Sequence, residues 1–200
     1  MMVFRSALWA LLLVTLAGCV SRTRCGGKTR FELRGGDGSL RLRVAEADRP
    51  GRLDLCDSTG QTAGALVREG EALYVLDRSQ AEHLRSPRPD ALELTNAAGP
   101  AVRLSRAADV VRVLHPDGIP FGSIQETRER TLVTDVSATP IALVKRRDAD
   151  AVITSMEGEA RAYLVPSPGL SAAAVFALPG LTLEEQLLLC AHLGRGRLQP

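Results

Sequence analysis

The stretch Val110-Val111-Arg112-Val113-Leu114-His115-Pro116-Asp117-Gly118 decides the fold. It opens with β-branched residues interrupted by a single charge, the composition of a half-buried strand. It closes in turn formers: Gly supplies positive φ, and Asp folds its side chain back onto the turn backbone. The same kind of turn recurs along the chain. Earlier copies are Gly35-Gly36-Asp37-Gly38, Asp57-Ser58-Thr59-Gly60, Asp77-Arg78-Ser79-Gln80 and Asn96-Ala97-Ala98-Gly99. Later ones are Val136-Ser137-Ala138-Thr139 and Met156-Glu157-Gly158-Glu159. From Gly60 onward the centres fall near residues 60, 79, 99, 118, 138 and 158. An even beat of this kind marks an internal repeat of one structural unit.

A second set of breaks lies midway, within 46–51, 68–71, 86–90, 105–108, 126–130 and 146–150. These are mostly charged and belong in solvent. Between the two sets lie short runs of strand length. Leu40, Leu42 and Val44 alternate with Arg41 and Arg43, and Leu53 and Leu55 flank Asp54. Residues 91–95, 141–144, 151–154 and 162–165 continue the series. Alternation with one polar face predicts an antiparallel meander with one buried side.

The end of the chain changes character. Gly169 to Leu178 is small and apolar, and Pro179-Gly180 breaks it. Thr182-Leu183-Glu184-Glu185 has the pattern of a capping box, and the acidic pair suits a helix start. The helix is predicted to run to Leu193 and to stop at Gly194. Leu187, Leu188, Leu189, Cys190, Ala191 and Leu193 leave it almost no polar face, so it must be buried on most sides. The expected fold is mainly β: an antiparallel meander of about twelve strands. It closes into a barrel around the hydrophobic C-terminal helix, because an open sheet of that size would need its edges protected.

This order of elements resembles the tubby-like superfamily, which includes the phospholipid scramblases. The matching residues are the turns Asp57-Ser58-Thr59-Gly60 and His115-Pro116-Asp117-Gly118-Ile119-Pro120-Phe121-Gly122-Ser123-Ile124, and the terminal element Thr182 to Leu193. Coverage runs from Phe31 to Leu193. The resemblance implies a closed barrel of about twelve strands around a helix, and it tilts the function toward lipid. The basic cluster and calcium-site residues of those relatives are not placed on any positions of this sequence, so no binding residue is carried over. A rival reading is a spiral of YD-type repeats, whose period is similar but whose Tyr-Asp pair is missing here.

The N-terminus carries a different signal. Arg5 precedes a run from Ala7 to Ala17 that is apolar apart from Thr15 and leads into Leu16-Ala17-Gly18-Cys19. A charged start, a short apolar core and small residues describe a secretory signal. The run is too short for a spanning helix, which needs roughly 20 apolar residues. The last four residues resemble the lipobox of bacterial lipoproteins. That resemblance implies cleavage before Cys19, acyl chains on Cys19, and a membrane partner held through them. Val20, where an Asp would favour the inner membrane, points to the periplasmic face of the outer membrane. The expected organisation is a signal peptide over 1–18, a basic tether over 19–30, a β-barrel-like domain with its helix over 31–193, and a tail over 194–200. Arg22, Arg24, Lys28 and Arg30 make the tether basic. Beside a lipid anchor each charge adds ~1 kcal/mol near anionic head groups; the alternative is a plain solvated linker.

With Cys19 lipidated, Cys25, Cys56 and Cys190 remain. Cys190 lies among leucines and reads as a small buried hydrophobe. Export leads to an oxidising compartment, so Cys25 and Cys56 are the candidate disulfide; the alternative leaves Cys25 free in the tether.

Motifs for chemistry are missing. The sequence contains no G-x-S-x-G, no H-E-x-x-H and no phosphate loop. His83, His115 and His192 lack ligand spacing. Asp148 and Asp150 supply too few oxygens for calcium. No cofactor or metal is expected. The formal net charge of +2 calls for no nucleic-acid partner. The expectation is a non-enzymatic lipoprotein module that binds lipid or another envelope protein. Two alternatives stand: a structural scaffold, which a large exposed apolar patch on one rim would favour, and an enzyme whose site assembles only in three dimensions.

Overall fold

A computed structural model describes residues 24–88, 93–127 and 129–194. The signal segment, Cys19, Arg22 and most of the tail lie outside the described residues. The strands are β1 (Thr29–Gly35), β2 (Leu40–Glu46), β3 (Arg52–Asp57), β4 (Thr62–Glu69), β5 (Ala72–Leu76), β6 (Glu82–Ser86) and β7 (Glu93–Asn96). They continue as β8 (Gly99–Ala107), β9 (Val110–Leu114), β10 (Pro120–Glu126), β11 (Arg130–Thr134), β12 (Pro140–Arg147), β13 (Asp150–Thr154) and β14 (Ala160–Val165). Each pairs antiparallel with its sequence neighbours. The ring shuts where β1 meets β14, with Glu32 opposite Val165 and Leu33 opposite Leu164. The result is a closed barrel, with no sheet edge to protect.

The ring has fourteen strands where about twelve were expected. The difference lies in segments whose alternation is blurred. In β4, Gly64, Ala65 and Leu66 are all buried, so one residue in two is not the rule there. In β6 only Leu84 and Ser86 turn inward among charged neighbours. Both are strands because the residues on either side of them are strands.

Seven of the hairpins lie at one end of the barrel. Each is accompanied by a register shift beside its turn: between Leu33 and Arg34, Leu55 and Cys56, Val75 and Leu76, and Leu94 and Thr95. The others fall between Pro120 and Gly122, Val133 and Thr134, and Ile153 and Thr154. A bulge of this kind bends the strand and raises its twist. Repeated around the ring, it curls the sheet toward closure. The beat of about twenty residues in the sequence is therefore one bulged hairpin, repeated.

The lumen holds two helical segments, not one. α1 (Leu170–Ala174) continues into a 3₁₀ turn over Val175–Ala177, and α2 (Leu183–Leu193) returns antiparallel to it. α1 packs on β10 to β13, whereas α2 packs on β5 and β6, across the ring. The pair thus bridges the barrel from wall to wall. The apolar segment Gly169–Leu178 provides the half of the filling that α2 cannot. Phe31 of β1 reaches Phe176 at a centroid distance of 6.3 Å. Leu188, Leu189 and Cys190 are fully buried. The capping box forms as its residues predict: Thr182 Oγ1 accepts from the Glu185 N–H, and Glu185 Oε2 accepts from the Thr182 N–H at 2.8 Å. Gly194 ends α2 at φ −73°, outside the left-handed region expected of a glycine stop.

The wall is apolar inside and charged outside. Leu42, Val44, Leu53, Leu55, Val113, Ile124 and Leu164 face the lumen. Arg41, Arg85, Arg103, Lys145 and Arg161 face out and are exposed. Barrels that span membranes carry the opposite pattern.

Candidate functional site

The sequence singles out Cys19 as a candidate, so the description begins where the described chain takes over from it. From Arg24 to Lys28 the chain lies as a strap across the outer faces of β2 and β3. At one end of the strap, the Glu46 N–H donates to the Lys28 carbonyl at 2.9 Å. At the other, Arg24 bridges to Gln61, and the Cys25 N–H donates to the Gly60 carbonyl at 3.1 Å. Between them Cys25 and Cys56 form a disulfide. Cys25, Ala45 and Cys56 make a small apolar cluster outside the barrel, separate from the main core. Ala45 and Cys56 point away from the lumen and are buried because the strap covers them. Arg43 Nη2 donates to the Cys25 carbonyl at 2.9 Å and clamps the strap from below. Gly27 crosses so close to β2 that a Cβ there would collide with the Glu46 carbonyl.

The boundary between tether and domain therefore falls earlier than residue 31. From Arg24 onward the chain belongs to the barrel. This also separates the basic residues. Lys28 and Arg30 lie at the opposite end of the strap from Arg24, and Arg30 pairs with Glu46 at 3.0 Å. Of the described basic residues of the tether, Arg24 stands where the chain leaves for Cys19, and Arg78, paired with Asp57, lies beside it.

That exit lies at the rim formed by the bulged hairpins. Six of its seven turns share one device, and in the seventh Ser155 Oγ accepts from the Glu159 N–H instead. Asp57 Oδ1 accepts from the Thr59 N–H at 2.9 Å, the Thr59 hydroxyl at 2.6 Å and the Gln61 N–H at 3.0 Å. Asp37 binds Ser39 in the same manner, and Asp77 binds Ser79 and Ala81. Asn96, Asp117 and Asp135 accept from the amides of Ala98, Ile119 and Ser137. These are Asx turns, and they make this end the Asx rim. Hydrogen bonds from the Ser39, Thr59 and Ser79 hydroxyls hold the carboxyls of Asp37, Asp57 and Asp77 below the usual carboxylate range. Their oxygens are occupied in shaping the turn. Among the described residues no group of three His, Cys, Asp or Glu side chains is placed to hold a metal ion.

The Asx rim also carries apolar tips. Ile119, Val136 and Met156 are 54%, 57% and 43% exposed. They occupy three successive hairpins around the ring: β9–β10, β11–β12 and β13–β14. Leu183, 40% exposed, joins them from the first turn of α2. α2 enters the lumen at this rim, because Gly180 just before it packs on Phe121 at the start of β10. His115 stacks on the same Phe121 ring at a centroid distance of 3.5 Å.

The opposite rim is polar and mixed in charge. One shallow depression there is lined by Lys28, Arg30, Arg146, Asp148, Pro166 and Pro168. Beside it, the Ser171 hydroxyl donates to Glu126. The histidines are dispersed: His115 lies at the Asx rim, His83 on β6, and His192 is buried in α2. Ser171 and Glu126 thus meet at the end of the barrel away from His115. Burial in α2 pushes the Cys190 thiol far above its usual range, so it stays protonated and unreactive. The strap was not visible in the sequence; the Gly26-Gly27 pair, which permits close backbone approach, was its one local sign.

No protein-family model and no curated protein matches the chain. Among the described residues no helix is long and apolar enough to cross a membrane.

Proposed function

We propose that this chain is a bacterial lipoprotein, anchored through acyl chains on Cys19, whose barrel is a non-enzymatic binding module at the cell envelope. The lipobox-like junction Leu16-Ala17-Gly18-Cys19 motivates the anchor. The observation that carries the reading is the strap. A disulfide and backbone hydrogen bonds fix Arg24 to the barrel, so only four residues separate a rigid body from the proposed lipid. Such a short connection suits a domain that works against the membrane surface. Two or more acyl chains hold a protein there without further contacts. The charged outer wall suits an aqueous compartment, and the disulfide suits an oxidising one. The periplasmic face of the outer membrane meets both conditions. The tubby-like resemblance favours lipid over protein as the bound partner.

The test is membrane partition of the wild type against Cys19→Ala. The wild type is expected to stay with membranes through a high-salt wash and to carry a lipid adduct. A wild type that washes off, with an unmodified Cys19, contradicts the reading.

A further inference from the structure

The strap fixes which end of the barrel stands nearest Cys19. Arg24 is bonded at the Asx rim, beside the turn Asp57–Gln61. From its Cα to that of Cys19 the fully extended chain reaches at most about 18 Å. A seven-residue strand spans about 23 Å before tilting. The tether drawn taut along the wall would therefore barely bring Cys19 level with the opposite rim. For the Asx rim to meet the surface, no extension is needed.

The same rim carries Ile119, Val136, Met156 and Leu183, the large apolar side chains that stand exposed among the described residues. Neighbouring strands are about 4.8 Å apart, so tips on successive hairpins stand about 10 Å from one another. Separated tips of this kind do not make the contiguous apolar patch typical of a protein interface. A protein partner would need a pocket for each. The boundary between head groups and acyl chains accepts them without matched pockets.

We propose that the Asx rim is the membrane-facing end of the barrel, and that these four tips seat in the bilayer that holds the acyl chains of Cys19. The occupant is a lipid surface. The proposal rests on the lipid anchor above. Asp117, Asp135 and Glu157 lie in the turns of the tips, and Arg24, Arg78 and Arg103 stand at the same rim; with both signs present, the seating of the tips is assigned to apolar burial.

The experiment uses the full lipidated chain in phosphatidylcholine vesicles. Bimane is attached at Ile119→Cys, at Val136→Cys, or at Glu71→Cys on the opposite rim; Cys25 and Cys56 are paired and Cys190 is buried. Flotation with the vesicles is read first, and quenching by nitroxide-labelled phosphatidylcholine second. The expected result is flotation of all three, with quenching several-fold greater at positions 119 and 136 than at 71. Replacing a third of the lipid with phosphatidylglycerol should leave that ratio unchanged. Flotation with equal quenching at all positions, or with quenching greatest at 71, overturns the proposal and leaves the anchor standing. A requirement for the anionic lipid overturns its apolar basis. Cross-linking of position 119 between copies, without quenching, assigns the tips to a second copy and overturns it too. Failure to float, with no lipid on Cys19, overturns the anchor and the proposal together.

Discussion

Cys25 and Cys56 are joined by a disulfide that closes 31 residues of sequence, and the bond lies on the outer wall of the barrel, not in its core. It fastens the strap to β3 and makes the first described residues part of the rigid body. In the chain-entropy picture, closing a loop of this length stabilises by roughly 3–4 kcal/mol. Replacing both cysteines with Ala should lower stability by about that amount and leave the barrel folded, because no main-core contact is lost. Urea midpoints of the two proteins check this. Equal midpoints would show that the bond holds the strap alone and contributes nothing to the barrel.

Gly27 tests the strap without touching the disulfide. A side chain there meets the Glu46 carbonyl, and backbone cannot move aside cheaply. Gly27→Ala should free the strap locally, raising hydrogen exchange at the Glu46 amide, which donates to Lys28. Amides in β11 and β12 should be unaffected. Unchanged exchange at Glu46 would place the strap farther from β2.

Leu188 sits at the centre of the two-helix filling. It is fully buried, and truncating such a side chain costs about 2–5 kcal/mol. Leu188→Ala is expected in that range by chemical denaturation. Removing all residues after Pro179 should leave an insoluble or molten product, since α1 alone reaches only one side of the wall. A cooperative transition in the truncated protein would show that the barrel fills itself.

The hairpin repeat predicts a stabilising change. Gly118 adopts φ +91° in its turn, and the matching position of the β11–β12 turn is Ala138 at φ +60°. Left-handed backbone strains a residue with a Cβ by roughly 1–2 kcal/mol, and the added freedom of glycine when unfolded returns part of that. Ala138→Gly should therefore stabilise by about 0.5–1 kcal/mol, read as a higher thermal midpoint. A lower midpoint would mean that the turn is not left-handed there.

The Asx turns predict an acid limb. The carboxyls of Asp37, Asp57 and Asp77 are held below the ordinary value of 3.8 by the hydrogen bonds they accept. A lowered folded-state pKa contributes stability that is present above the unfolded value and lost as pH falls through the folded one. The turns should thus stay intact at pH 4 and loosen below 3.8. Carboxyl titration by NMR should give midpoints under that value. Midpoints at or above it would show that the hydrogen bonds are not formed in solution.

Most of the barrel was legible because its hairpins repeat. The breaks read from Gly35 to Glu159 number thirteen, which bound fourteen runs; the expectation fell lower because alternation is blurred in segments such as β4 and β6. Asp57, Asp77 and Asp117 announced their turns through local chemistry, and Thr182 and Glu185 announced the helix cap. What could not be read is non-local. Nothing near Gly169 shows that its apolar segment folds back against α2. Nothing near Ile119, Val136, Met156 or Leu183 shows that they share a rim, because ring closure alone brings them to one end.

The anchor rests on Cys19, and intact mass spectrometry of the protein extracted from its native membrane reads the state of that residue. The expected species is a chain beginning at Cys19 with acyl chains on that residue, in which Cys25 and Cys56 resist alkylation until reduced. A chain with an unmodified Cys19, or one cleaved elsewhere, would contradict the anchor.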